Sequence, residues 1–445
     1  MKECSKFREK ALSLLNNFGV VCPRKNRIMV DAYIGSSKDN MRSAVHNWYK
    51  FTAGFSYKFI DLVVDELEAK PDCIYEPFAG CGTTLVAAQK KKIHSLGNES
   101  QQLMCDIINA KLNWDIEDKT CCDYIAYLKD YVDNRSKEDI SEEYNELLCG
   151  LYDAETLKNL YLLRDGIASL EDVKYQLFLR LALSQTLHKA ALHPIAVPYI
   201  VRSKTLVNSG DALGKFTSIS LQMLNDLATM PHHERMADVY KADSRKKNVN
   251  ITDGICDLCI TSPPYLNNLD YGEVSKVHTH FFELTKDWHD ITEKVRRELV
   301  TGATTHYRDA DFCLEEFLET DFARANRGLM PTLIQHYDAI LQSGKGRKGK
   351  KSFHILMMHY FEDMYRVLIE MRRVLRKGSK AYLILGDSAP YGIYIPTTQY
   401  LGEIAQSVGF GDYKIYKIRE RGHKWTTLSN RHNVELSENI LVLNR

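Results

Sequence analysis

Apolar residues recur along this chain in two rhythms, and the switches between them mark out its elements. Short apolar runs bounded by turn residues read as strands. They are Cys73-Ile74-Tyr75-Glu76-Pro77-Phe78, Ile93 to Gly97, Ala237 to Asp243, Gly254 to Ile260, Ala381 to Gly386, 412–418 and 438–443. Helical spacing marks 1–18, the segment after Ser56 with Phe59, Leu62, Val63 and Leu67, then Leu85 to Lys90, Val274 to Leu284, 355–376 and 397–407. Gly378 is placed to stop the helix 355–376. From Ser100 to about Met236 the alternation lapses, and 101–113, 121–133, 139–152, 154–167, 169–192 and 215–229 all keep mainly helical spacing. Strands alternating with helices predict an α/β fold. Its sheet is Rossmann-like, doubly wound and mostly parallel, with an antiparallel pair at its edge and a large helical insertion.

With 445 residues, the chain exceeds one ordinary core, which agrees with a substantial insertion or second domain. Hydrophobic content of 44% and charged content of 26% are those of a soluble globular protein. Fifty-nine Lys and Arg balance fifty-eight Asp and Glu, which excludes a highly basic coat protein but leaves room for a local phosphate-binding patch. The eleven cysteines are mostly scattered singly, as expected of free thiols in a reducing compartment. No apolar run reaches the roughly 18 residues of a membrane span, and the charged N-terminus lacks a signal-peptide core. A cytoplasmic protein with no membrane partner is expected.

Candidate chemistry gathers at strand ends. After the run Gly254 to Ile260 comes Thr261-Ser262-Pro263-Pro264-Tyr265. Two prolines cannot continue a parallel ladder, so the strand stops there. A small hydroxyl, carbonyls and an aromatic ring are left at a carboxyl end, where ligands bind in open α/β sheets. Such a set accepts hydrogens from an amine and stacks on a flat ring. The strand ending Glu76-Pro77-Phe78 runs into Ala79-Gly80-Cys81-Gly82-Thr83-Thr84 and a helix. Gly80 and Gly82 admit positive φ and close approach to a ligand, and Thr83 or Thr84 can cap the helix. Glu99, after the next strand, follows Gly82 at close to the ~20-residue spacing of a ribose-binding acid; a helix-capping surface glutamate is the alternative. Asp243 can accept an amine of a cofactor's base, cap a helix, or both. His46 to Ser56 is an aromatic loop that either packs or covers a cofactor. Arg24 to Arg27, and the cations Lys345, Arg347, Lys348, Lys350 and Lys351 on a glycine-rich loop, are either solvated or follow a phosphate backbone. Cys256 and Cys259 should face opposite sides of a strand, and His188 and His193 have the wrong spacing for a metal pair. No metal is expected.

Taken in order, Glu76 to Thr84, Glu99, Asp243 and Ser262-Pro263-Pro264-Tyr265 resemble the motifs of the S-adenosylmethionine-dependent amino-methyltransferases of DNA. Ser262 in first position is similar to the cytosine-N4 branch; Asp or Asn there is typical of the adenine-N6 enzymes. The resemblance implies the class I methyltransferase fold over 45–100 and 237–445, with 1–44 as an N-terminal segment and 101–236 as the helical insertion. Either that insertion or the charged stretch 285–352 would read the target. It implies S-adenosyl-L-methionine as cofactor, held by Glu76, Phe78, Gly80, Gly82, Thr83, Glu99, Asp243 and Ser262, under a cover formed by His46 to Ser56. It implies Ser262, Pro263, Pro264 and Tyr265 as catalytic residues acting on the N4 amine of a flipped-out cytosine in double-stranded DNA, and DNA contact by Lys345, Arg347, Lys348, Lys350 and Lys351. A restriction-modification system with a cognate endonuclease is the expected setting. Adenine-N6 or RNA amino-methylation, and a catalytically silent DNA-binding subunit, are the alternatives.

Overall fold

The computed structural model describes residues 34–51, 53–140, 143–196, 199–231, 233–307, 311–347, 349, 351–421 and 434–445. The expected helix 1–18, the basic cluster 24–27, Lys348 and Lys350 lie outside these residues. In chain order, α1 (Tyr57–Asp65) precedes β1 (Cys73–Glu76), α2 (Thr83–Lys90), β2 (His94–Glu99) and α3 (Gln102–Leu112). There follow α4 (Asp118–Asp133), α5 (Glu146–Cys149), α6 (Ala154–Ala168), α7 (Val173–Ala190), a small hairpin of β3 (Ile195–Ala196) and β4 (Tyr199–Ile200), and α8 (Ala212–Leu227). The sheet resumes with β5 (Ala237–Lys241) and β6 (Cys256–Thr261). Next come α9 (Tyr271–Phe281), α10 (Trp288–Lys294), α11 (Leu314–Leu318), α12 (Asp321–Ala325), α13 (Met330–Gly344) and α14 (Phe353–Val374). The chain closes with β7 (Leu375–Gly386), α15 (Thr397–Ser407), β8 (Tyr413–Arg421) and β9 (Leu436–Asn444).

The main sheet has seven strands in the order β5-β2-β1-β6-β7-β9-β8. The first five are parallel, and β9 runs antiparallel between β7 and β8. This is the doubly wound α/β sheet of class I methyltransferases. Chain order reverses between β1 and β6, so their carboxyl ends flank the crevice where ligands bind in such sheets. One sheet face packs on α1 through Phe59, Ile60 and Val63, which meet Ile74, Leu258 and Ile260. The other packs on α14 and α15 through Leu356, Tyr360 and Leu401. A third cluster joins Leu85 of α2 and Ile108 of α3 to Leu160, Phe178, Leu183 and Phe216 of the inserted helices, without a break in apolar contact. Among the described residues no helix is long and apolar enough to cross a membrane.

Several local expectations are corrected. Helix α2 is capped by Gly82 at φ +84° with no side-chain cap, because Thr84 Oγ1 instead donates to Glu76 Oε2 at 2.8 Å. The expected helix 139–152 shrinks to the one-turn α5 after a 3₁₀ turn at Lys137–Asp139. Helix α14 ends at Val374 and passes directly into β7; Gly378 does not stop it but sits at φ +84° within that strand. The β6–β7 register shifts between Cys256 and Leu258, and Cys256 and Cys259 share one core cluster instead of facing apart.

Candidate active site

A cavity open to solvent lies at the carboxyl ends of β1, β2, β5 and β6, with about 800 Å³ of empty space counting its open mouth. Its walls include Phe51, Phe78, Gly80, Glu99, Asp243 and Ser262, so residues far apart in sequence meet there. Gly80 adopts φ +53°, and a Cβ there would lie 3.2 Å from the Phe51 ring. The glycine turn therefore passes beneath an aromatic cover that a side chain would displace. The stretch His46 to Ser56 divides between the core and the cavity wall. Trp48 and Tyr49 are buried in the core, while Phe51, Ala53, Gly54 and Phe55 face the cavity.

Two buried glutamates organise the floor. Glu99 ends β2 and accepts hydrogen bonds from the amides of Gly80 at 2.8 Å and Gln101 at 2.9 Å. Burial pushes its carboxyl up to about 7, against the pull of those amides. Glu76 ends β1 and joins the glycine turn to β6. It accepts from the Phe78 amide at 3.0 Å, from Thr84 Oγ1, and from Thr261 Oγ1. Burial raises it to about 8, although the hydroxyls of Thr261 and Thr84 oppose the shift. Thr83, in the first turn of α2, lines the same cavity. Gly82 turns the backbone, and its α-carbon faces Ile108 of α3, since a Cβ there would meet that side chain at 3.1 Å.

Asp243 lines the cavity, but its carboxylate is not an open acceptor. Oδ1 accepts from the Arg245 amide at 3.0 Å and Nε at 2.9 Å, and Oδ2 accepts from Arg245 Nη2 at 3.0 Å. Burial raises this carboxyl, yet Arg245 outweighs it and the net shift is downward. No helix starts there for Asp243 to cap, because β6 follows through a turn.

The stretch Ser262-Pro263-Pro264-Tyr265 splits between two surroundings. Ser262 and Pro264 face the cavity. Ser262 Oγ donates to the Ile384 carbonyl of β7 at 3.0 Å. That bond spends the hydroxyl's proton on the sheet, and only lone pairs remain for anything else. Pro263 is buried. Tyr265 is half-buried beyond the cavity wall, and its hydroxyl donates to Glu438 Oε1 of β9 at 3.0 Å.

Sequence reasoning missed two wall elements. Tyr271 opens α9, lines the cavity, and stacks with Phe51 at 6.5 Å between ring centroids and 22° between planes. Glu298, Leu299 and Val300 come from the stretch read only as charged. Asp270 caps α9 by accepting from the Gly272 amide at 3.0 Å, an Asx signal that could have placed Tyr271 at a helix start. Of the basic loop, Lys345, Arg347 and Lys351 are exposed. The Arg347 guanidinium lies over the Tyr391 ring at 4.9 Å, in the loop that follows β7. This puts the cations on the same rim of the sheet as Ser262. His188 is half-buried and packs on buried His278, with ring centroids 4.9 Å apart, in keeping with a packing role.

The residues present fit a nucleoside-bearing sulfonium cofactor. A left-handed glycine turn leaves room for a close approach, a buried carboxylate can accept from a diol, and Phe51 and Phe78 offer apolar walls. No family model matches the chain. It is 22% identical over 454 residues to the Type II methyltransferase M.BsoBI of Geobacillus stearothermophilus, covering 92% of this chain and 87% of that protein. It is also 22% identical to the Type II methyltransferase M.AvaI of Nostoc sp., covering 86% of this chain and 82% of that protein, and equally to M.AvaI of Anabaena variabilis. Similarity spanning most of both partners, the inserted helices included, supports a methyltransferase enzyme.

Proposed function

We propose that the protein methylates the exocyclic N4 amine of a cytosine flipped out of double-stranded DNA, as the modifying partner of a restriction endonuclease. The observation that carries this reading is the bond from Ser262 Oγ to the Ile384 carbonyl at the cavity wall. A hydroxyl fixed in that way is a committed acceptor, which is what an amine requires. S-adenosylmethionine, when bound, supplies an electrophilic methyl group. Gly80 would admit its methionine part, with Gly82 turning the backbone behind it against Ile108, Glu99 would take its ribose diol, and Phe51 and Phe78 its flat or apolar parts. Asp243 would take its adenine amine only with the lone pairs that Arg245 leaves.

The amine's lone pair is conjugated with the ring, so it is a poor nucleophile. Ser262 Oγ and the Pro263 carbonyl accept its two N–H groups and favour a pyramidal nitrogen whose lone pair is free. Tyr265 stacks on the base and fixes its plane, and Pro264 closes the wall beside it. Orientation and exclusion of water are then the main catalytic contributions, without a covalent intermediate on the protein. Taking the base out of the duplex costs a few kcal/mol. Lys345, Arg347 and Lys351 would follow the phosphate backbone on the same rim, joined in that role by Lys348 and Lys350 of the same stretch of sequence, which lie outside the described residues.

The test is to supply S-adenosylmethionine and unmethylated DNA, digest the product and identify the modified nucleoside. N4-methylcytosine is expected. N6-methyladenine would overturn the choice of base, and absence of both methylation and cofactor affinity would point to a silent binding subunit. Ser262→Ala should keep cofactor affinity and lose most turnover. An alanine variant with full activity would sink the role given to Ser262.

A further inference from the structure

Tyr265 is held from the far edge of the sheet. Its hydroxyl donates to Glu438 Oε1 at 3.0 Å, and Glu438 is itself paired with Arg419 Nε at 2.7 Å. Glu438 is only 3% exposed, so this carboxylate is not a casual surface partner. One face of the Tyr265 ring carries the Arg421 guanidinium, 5.0 Å from the ring centroid. Arg421 can lie there because residue 386, at the end of β7, is glycine. A methyl group on Gly386 would overlap the Arg421 guanidinium. Gly35 does the same for Glu438, whose carboxylate occupies the space a side chain would need. Four positions on β7, β8 and β9 thus converge on one ring.

We propose that Glu438 and Arg421 are positioning residues for Tyr265: Glu438 fixes the ring by its hydroxyl, and Arg421 closes one ring face so that a base stacks on the other. The inference rests on the reading of Tyr265 as the residue that stacks on the target base. A tyrosine free to turn about its side-chain torsions would present its face to an incoming base only part of the time. A buried acceptor on the hydroxyl and a cation on one face remove that freedom before the base arrives. The cation also occupies the face that a second ring could otherwise take, leaving a single stacking site.

The test measures transfer of labelled methyl from S-adenosylmethionine into an unmethylated random-sequence DNA pool, alongside calorimetric cofactor affinity. Glu438→Leu should lower kcat about tenfold or more while cofactor Kd stays within about twofold. Glu438→Gln keeps an acceptor and should recover most of that loss. In a Tyr265→Phe background, with no hydroxyl to hold, Glu438→Leu should add nothing further. Should Glu438→Leu fail to fold, Gly386→Ala tests the other contact. Its methyl overlaps the end of the Arg421 side chain, with the Ser437 carbonyl oxygen its next neighbour at 3.3 Å, and kcat should fall about threefold or more at unchanged cofactor affinity. Unchanged kcat in Glu438→Leu or in Gly386→Ala overturns the proposal, as does an equal Glu438→Leu loss without the tyrosine hydroxyl. Wild-type protein that transfers no methyl overturns the functional reading and this inference together, whereas active wild type with active variants overturns the inference alone.

Discussion

Glu99 holds the Gly80 and Gln101 amides from a buried position, and its carboxyl is pushed up to about 7. As an acceptor for a diol it serves best when ionised. Cofactor affinity should therefore fall as pH drops below about 7, by up to roughly tenfold per unit, in titration calorimetry between pH 5.5 and 8.5. Glu99→Gln should weaken binding and flatten that profile. The same burial acts on stability with the opposite slope. Below 4.5, the ordinary glutamate value, folded and unfolded chains both keep the proton. Between 4.5 and about 7 the folded chain keeps a proton that the unfolded chain has released, so this contribution to stability declines as pH rises. Glu76 extends the decline to about 8. Relative to a Glu76→Gln, Glu99→Gln variant, the wild-type denaturant midpoint should therefore fall from pH 5 to pH 8, and a relative rise would contradict the burial argument. The buried imidazoles of His46 and His278, held below their ordinary value by desolvation, act in the opposite sense on both proteins alike. Asp243 carries the residue-scale lesson about legibility. Its position at a strand end could be read from the chain, but its engagement by Arg245 could not, because the competing donor only two residues on looks like an ordinary surface cation.

Among the elements, the glycine turn and the basic loop carry separable expectations. Gly80→Ala puts a side chain at φ +53° and 3.2 Å from the Phe51 ring. It should cost about 1–2 kcal/mol of stability and weaken cofactor binding, which a melting curve with and without S-adenosylmethionine would separate. Replacing Lys345 and Arg347 with glutamine should weaken DNA binding across all sequences and reduce the salt slope by about one for each phosphate no longer neutralised. An unchanged slope would remove the loop from the interface. Elements with a strong local signal were legible. The runs of β1, β2, β5 and β6 announced themselves, as did the turn after β1 and the antiparallel pair β8 and β9. Elements set by distant partners were not. The strands β3 and β4 are two residues each and pair only with one another, too short to leave a periodic run after the long helix α7. The start of β7 continues straight from α14 across Arg376 and Lys377, whose charges suggest a helix end and a loop. Tyr271 reads as part of the polar loop before the helix expected from Val274, until Asp270 is seen capping α9 in front of it.

Across the molecule, the sheet and the inserted helices share one apolar cluster from Leu85 to Phe216 and Phe281. Unfolding should accordingly appear as a single calorimetric transition, and a separate early transition for the inserted helices would show that the shared cluster does not couple them. The covering segment is part of that union. Trp48 Nε1 donates to Asp226 of α8 at 2.8 Å, the Tyr49 ring meets His278 at 5.4 Å, and buried Lys111 of α3 donates to the carbonyls of His46 at 3.3 Å and Cys81 at 3.1 Å. The segment over the cavity is thus moored to the inserted helices on one side and to the glycine turn on the other. Any macromolecule that binds the inserted helices more tightly with α8 in this place is thermodynamically linked to whatever fills the cavity. Each ligand must then change the other's affinity by the same factor, so occupancy at one end of Trp48 is legible, as a binding constant, at the other.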